Sequence, residues 1–178
     1  MMNRNTMKTI YFAAASLDGF IADQNDSLEW LFKHGPTDIS FIDKFLETVG
    51  AIAMGAATYQ WLLDNSKEWT YKVPCLIFTH RNFKVMNGAD VRFVKGQIPP
   101  QHQDLKNLAK GKNIWIMGGG DLAGQFHDHG LLDEMHIQTI SVFLNNGKKL
   151  FSRKTDTAFK IKDIRQRGDT CVEVIYSI

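Results

Sequence analysis

The sequence holds only two cysteines, Cys75 and Cys171, and no C-x-x-C pair. That excludes a disulfide framework and a cysteine-based zinc site, and it makes a reducing cytoplasm the simplest expected compartment. No apolar run approaches the length of a membrane span, and the start MMNRNTMK lacks the apolar core of a signal peptide, so neither a membrane partner nor export is expected. Charge of one sign is scarce too. Lys and Arg number 21 against 19 Asp and Glu, a net +2 that is too small to predict nucleic-acid binding. The basic residues Arg153, Lys154, Lys160, Lys162, Arg165 and Arg167 are interleaved with acids and apolar residues and read as a solvated face. Linkers, repeats and low-complexity tracts are absent. The 178 residues, 44% hydrophobic and 22% charged, suit one domain that buries about 70% of its unfolded surface. That domain is expected over residues 8–178, after a flexible lead-in at 1–7.

Apolar periodicity outlines alternating strands and helices. Residues 9–15 (TIYFAAA) are continuously apolar and read as a central strand. The Asp18-Gly19 pair signals a turn, with 20–22 as a return strand or an ordered loop. Residues 23–38 are polar and irregular apart from Leu28, Trp30, Leu31 and Phe32. Helical spacing of Ile39, Phe41, Ile42, Phe45, Leu46 and Val49 predicts a helix over 38–49. Strands at 51–54, 74–79, 91–94, 114–117 and 134–140 follow, with helices over 58–63 and around 105–108. Residues 159–165 and 171–178 alternate and read as an antiparallel edge, so the whole predicts an α/β fold.

The stretch with most chemical content is IWIMGGGDLAGQF at 114–126. Four apolar residues lead through Gly118, Gly119 and Gly120 into a helix for which Asp121 is the expected N-cap. A strand entering a helix through glycines presents free N–H groups and the positive end of the helix dipole, which suits an anion such as a nucleotide diphosphate. A tight turn without a ligand is the alternative. Gly118, Gly120 and Ala123 fit G-x-G-x-x-G/A, yet no acid follows near 138–141 to hold a ribose, and no G-K-[ST] follows for a P-loop. Histidines add little. His127 and His129 lie two apart, on nearly opposite sides of a helix that ends at Gly130, so no metal site is expected. His136, alternating within a strand, is structural or borders a pocket.

Three strand ends, AAASLDGFIAD at 13–23, IAMGAATYQWL at 52–62 and IWIMGGGDLAGQF at 114–126, occur in order with LIFTHR at 76–81 and DEMHIQTISVFL at 133–144. In order and spacing, over roughly 8–178, these resemble the dihydrofolate reductase-like family, and most closely the branch shared with the reductase domain of riboflavin biosynthesis. The resemblance implies a three-layer α/β fold: a mostly parallel central sheet, helices on both faces and an antiparallel C-terminal edge. It further implies NADPH across the carboxyl ends of the strands. Ala14 and Ile21 match positions at the nicotinamide, and Gly55 and Thr58 a phosphate-receiving helix start. Thr79, His80 and Arg81 match the adenosine side, and Gly118, Gly119, Gly120, Asp121 and Leu122 the diphosphate turn. Homodimerisation through an edge strand is implied by the same analogy.

Two departures matter. Dihydrofolate reductases carry an arginine for the 2′-phosphate directly after the glycine matching Gly55; here Ala56 stands there, and Arg81 is the replacement candidate or a solvated turn residue. Counting back from Gly55 puts Ile39 in the slot of the carboxylate on the first helix, so Asp38 either supplies it after a one-residue shift or caps the helix. Glu29 and Trp30 are further candidates to face a substrate ring, as is Asp18 unless its Asp-Gly turn explains it. The resulting expectation is an NADPH-dependent reductase acting on a small pteridine- or pyrimidine-type heterocycle. A riboflavin-type reductase is the nearest enzyme alternative, and a non-catalytic nucleotide-binding or regulatory module on the same fold is the other.

Overall fold

The computed structural model describes residues 6–178, so most of the expected lead-in, residues 1–5, lies outside the described residues. Of the rest, Met7 is packed against the core rather than free. The chain runs β1 (Thr9–Ser16), β2 (Phe20–Ala22), α1 (Glu29–His34), α2 (Ser40–Thr48), β3 (Val49–Gly55), α3 (Ala56–Asn65), β4 (Cys75–Phe78) and β5 (Val91–Val94). It continues through α4 (Ile98–Ala109), β6 (Asn113–Gly118), α5 (Gly120–Asp128), β7 (Glu134–Ile140), β8 (Lys148–Lys149), β9 (Lys160–Gln166) and β10 (Cys171–Ser177). Eight strands form one sheet in the order β5-β4-β3-β6-β1-β7-β10-β9, while β2 and β8 make a separate two-stranded ribbon. From β5 to β7 neighbours are parallel; β10 pairs antiparallel with both β7 and β9. This is the dihydrofolate reductase-like architecture that the resemblance implied.

Strands covered on both faces must be apolar on both, which is why β1 and β3 read as continuous runs. On one face, α4 and α5 bring Leu105, Ala109, Leu122 and Phe126 against Tyr11, Ala51, Ala53, Ile114 and Ile116. On the other, α2 and α3 bring Phe45, Leu46, Tyr59 and Leu62 against Ile10, Phe12, Ile52, Met54 and Trp115. Each of the larger side chains buried there contributes roughly 1.5–3 kcal/mol relative to exposure. The second face is incompletely covered. Beyond α2, only α1 among the described helices reaches β7 and β10 on this face, through Trp30 on Ile140 and Cys171. No helix among the described residues is long and apolar enough to cross a membrane.

Three local expectations change. Residues 29–34 form α1, where only irregular chain was expected; Ser27 Oγ accepts the Glu29 N–H at 3.1 Å and starts it. The Asp18-Gly19 turn does form, with Gly19 at φ +86, but β2 pairs antiparallel with β8 rather than with β1. The N-cap of α5 is Gly119, and Asp121 sits inside the first turn.

Candidate functional site

The parallel strands end along one edge of the sheet, and β3 and β6 are neighbours there. Each runs through glycine into a helix, α3 and α5, whose N-cap is a glycine in extended conformation with no side-chain cap. The first N–H groups of both helices therefore lack capping side chains and face the same end of the molecule. The glycines differ in what requires them. An added Cβ at Gly120 would strike the Leu150 carbonyl oxygen, and one at Gly118 would lie 2.9 Å from Thr58 Oγ1. At Gly55 an added Cβ meets only ordinary contacts, 3.5 Å from Gly118 O and 3.6 Å from Gly119 N; at Gly119 it meets nothing within 4 Å. Neither residue has positive φ, Gly55 lying at −82 and Gly119 at −90. Neither contacts beyond the adjoining residues nor a positive φ calls for glycine at either place, and the two sit side by side, leaving open space at two helix N-termini.

Thr58 is thus a wall of Gly118 at the start of α3. Asp121 is turned outward: Oδ1 accepts from Arg153 Nε at 3.0 Å and Oδ2 from Gln125 Nε2 at 2.7 Å. Leu122 is buried in the core under α5. On the far side of β3, β4 ends beside Gly55, and buried Thr79 follows it. Thr79 Oγ1 accepts the Arg81 N–H at 2.9 Å, fixing the turn. The exposed Arg81 guanidinium donates to Gln60 Oε1 on α3 at 2.9 Å and lies 4.6 Å from the Phe83 ring centroid. It makes no ion pair with a carboxylate among the described residues. His80 is exposed at the same turn. From β4 to β1 the strand ends span three interstrand steps, about 14 Å in all, a line long enough for an extended dinucleotide.

At the other end of this line, half-buried Ala14 is in β1, and Ile21 is in the β2–β8 ribbon. The ribbon reaches α5, because Leu150 N donates to Gly19 O at 2.8 Å and the Leu150 carbonyl abuts Gly120. Asp18 holds it in place. Its carboxylate accepts from Ser16 Oγ at 2.6 Å, Leu144 N at 3.1 Å and Asn145 N at 2.7 Å. The Ser16 hydroxyl first, then these backbone N–H groups, hold its carboxyl below the ordinary range. With its oxygens so engaged, Asp18 is a tie between two loops.

A groove of about 740 Å³ runs along the open part of the sheet between α2 and β7–β10–β9, lined by Phe12, His136, Glu173, Arg167, Asp38 and Lys44 among others. Asp38 is on its exposed rim, where Oδ1 accepts the Ser40 N–H at 2.9 Å. That bond, foremost, keeps its carboxyl below the ordinary range. The N-cap of α2 is Ile39, so this bond closes a turn just before the helix, and an exposed acid held ionised is a poor proton donor. Glu29 points to solvent on α1, while Trp30 is buried over Ile140 and Cys171. Deeper in the groove, Glu134 accepts from Lys8 at 2.6 Å and Lys162 at 2.5 Å, and bonds His136 Nε2 at 3.2 Å. Burial pushes the Glu134 carboxyl up, but those three partners outweigh it and bring it down to about 2. Burial also lowers the His136 imidazole, against the pull of Glu134. Two residues that sequence reading did not nominate lie next in line: Gln138 and Glu173, both buried. Among the described residues, no group of three or more His, Cys, Asp or Glu is placed to hold a metal ion.

Known proteins carry the same plan. The family model described as the RibD C-terminal domain matches residues 7–172. The uncharacterized protein YwjB of Bacillus subtilis (strain 168) is 32% identical over 164 residues, covering 90% of this chain and 92% of its own. The uncharacterized protein YyaP of the same organism is 28% identical over 185 residues, covering 98% of this chain and 96% of its own. Among solved structures, a Shewanella sp. PV-4 protein named for riboflavin biosynthesis superimposes with a TM-score of 0.82 at 28% identity, over 96% of this chain and 98% of that one. A diaminohydroxyphosphoribosylaminopyrimidine deaminase/5-amino-6-(5-phosphoribosylamino)uracil reductase from Thermotoga maritima gives 0.70 at 18% identity, over 98% of this chain and 57% of that one, a likeness of fold alone. With most of its length matched by that model, this chain belongs to the RibD C-terminal domain family and has its dihydrofolate reductase-like reductase fold.

Proposed function

We propose that the protein is an NADPH-dependent reductase that delivers hydride to a small heterocycle of pteridine or pyrimidine type. The observation that carries this reading is the pair Gly55 and Gly119, adjacent glycines at two helix N-termini that lack side-chain caps and leave open space in front of them. The cradle fits a diphosphate: α3 and α5 would each offer first-turn N–H groups, and both dipoles favour the charge. Thr79 to Arg81 would flank the adenosine, with Arg81 the cation available to a 2′-phosphate. Ala14 and Ile21 would bound the nicotinamide.

When bound, the nicotinamide supplies the hydride, and the chain's part is orientation and exclusion of water. The β2–β8 ribbon, tied down by Asp18, covers the carboxyl end of β1. The groove beside α2 opens next to Ala14's row of the sheet and is the place for the acceptor ring. Among the described residues, each acid that lines the groove is engaged as a carboxylate: Glu134 by two lysines and His136, Asp38 by the Ser40 N–H, and Glu173 by Arg167. Protonation of the product is then left to solvent. The reading is tested by NADPH oxidation against dihydrofolate and a panel of oxidised pterins and pyrimidines. Turnover with one of them supports it; NADPH binding with no turnover on any would favour the non-catalytic nucleotide-binding alternative.

A further inference from the structure

Just inside the carboxyl ends of the strands, register places Ala14 of β1 beside Gln138 of β7, and Gln138 beside Glu173 of β10. Gln138 is 4% exposed, and its Nε2 has no acceptor among the described residues. Leaving such a donor buried without a bond is costly, so the position demands an acceptor that the described chain does not provide. Trp30, packed from α1 over Ile140 two residues further along β7, also has an unpaired buried Nε1. Glu173 is 3% exposed and lines the groove. Its Oε2 accepts from Arg167 Nε at 2.7 Å, whereas Oε1 has only Arg165 at 3.9 Å, beyond hydrogen-bond reach. An unsatisfied donor and a carboxylate oxygen with spare acceptor capacity therefore occupy directly opposed positions on neighbouring strands, where Cβ atoms are about 4.5–5.5 Å apart.

We propose that Gln138 and Glu173 read a lactam edge of the hydride acceptor, Gln138 Nε2 donating to a ring carbonyl and Glu173 Oε1 accepting the adjacent ring N–H. This rests on the reductase reading of the same site. The pair selects by chemistry. An edge made only of donors leaves the Gln138 amide unsatisfied, and an anionic edge meets the Glu173 carboxylate. A neutral ring that offers one acceptor and one donor side by side satisfies both. Access is from the groove that Glu173 lines.

The probe is lumazine, a neutral pteridine dione, with its pyrimidine-ring dimethyl derivative as the control that keeps both carbonyls and loses the ring N–H groups. Lumazine is expected to shift the Gln138 side-chain amide resonances of the intact protein. Gln138→Leu, which keeps the shape, is expected to weaken lumazine about tenfold while NADPH affinity stays within about twofold. The dimethyl derivative should bind the unaltered protein about tenfold more weakly than lumazine, a comparison that needs no variant to fold. Lumazine that fails to bind, leaves the Gln138 amide unmoved, or binds Gln138→Leu equally well overturns the proposal and makes this amide a water-satisfied core group. Failure of the reductase reading looks different: NADPH itself would not bind the unaltered protein, or would bind and be oxidised by no acceptor.

Discussion

Replacing Gly119 first by alanine and then by valine separates the needs of a ligand from the needs of the fold. Beyond its chain neighbours, an alanine Cβ at this position meets nothing within 4 Å, and φ of −90 is open to any residue. As an N-cap, alanine costs about 0.5–1 kcal/mol relative to glycine, and restriction of the unfolded chain returns about 0.4–1 kcal/mol. The net change in stability is within about 1 kcal/mol, or a shift in Tm of no more than about 4 °C for a chain of this size. Cofactor affinity should respond quite differently. A side chain in front of these N–H groups removes one or two charge-assisted hydrogen bonds to phosphate, each worth about 1.5–3 kcal/mol. NADPH Kd, measured by calorimetric titration, should therefore rise about tenfold for alanine and over a hundredfold for valine. Gly118→Ala and Gly120→Ala supply the contrast. Their Cβ atoms meet Thr58 Oγ1 and the Leu150 carbonyl, so they should lose about 1–3 kcal/mol of stability. A natively stable Gly119→Val protein with unchanged NADPH affinity would refute the reasoning.

Other consequences follow from single contacts. Arg81→Gln should weaken NADPH about tenfold and leave NADH unchanged in paired titrations, because the guanidinium has no carboxylate partner among the described residues. Asp38→Asn keeps an oxygen for the Ser40 N–H and should preserve both Tm and turnover; a large fall in turnover alone would make Asp38 the proton donor. Glu134 sits near 2 in the folded protein against 4.5 unperturbed, so its contribution is complete above about 4.5 and is lost as pH falls toward 2. Urea unfolding of Glu134→Gln should accordingly lose less stability than the unaltered protein between neutral pH and about 3.5, the difference being on the order of 1 kcal/mol after allowance for the exposed lysines.

Much of this was legible in the sequence because it depends on local rules. Glycine after an apolar strand, single at Gly55 and triple at Gly118–Gly120, marks both helix starts, and the alternation of the last two strands gives the antiparallel edge. What stayed hidden depends on which surface a strand faces. The run EMHIQTI places Glu134, His136 and Gln138 on one side and Met135 and Ile137 on the other, and period two alone makes the polar side look solvated. In the fold that side lines or adjoins the groove, and Glu173 arrives beside Gln138 from a strand far along the chain. Asp18 and Asp38 show the converse. Each was a fair candidate by residue type, yet backbone N–H groups nearby claim their oxygens, and a single sequence does not show where the loop at 144–145 will lie. α1 was missed because six residues are too few to show a helical period.

The most direct test of the central claim is a thermal-shift titration with NADPH and NADH side by side, since a ligand that binds only the folded protein raises its stability with concentration. The account predicts a saturable rise in Tm with NADPH, smaller with NADH, and lost in Gly119→Val. No shift with either nucleotide would contradict it and leave the two glycine turns as parts of the scaffold alone.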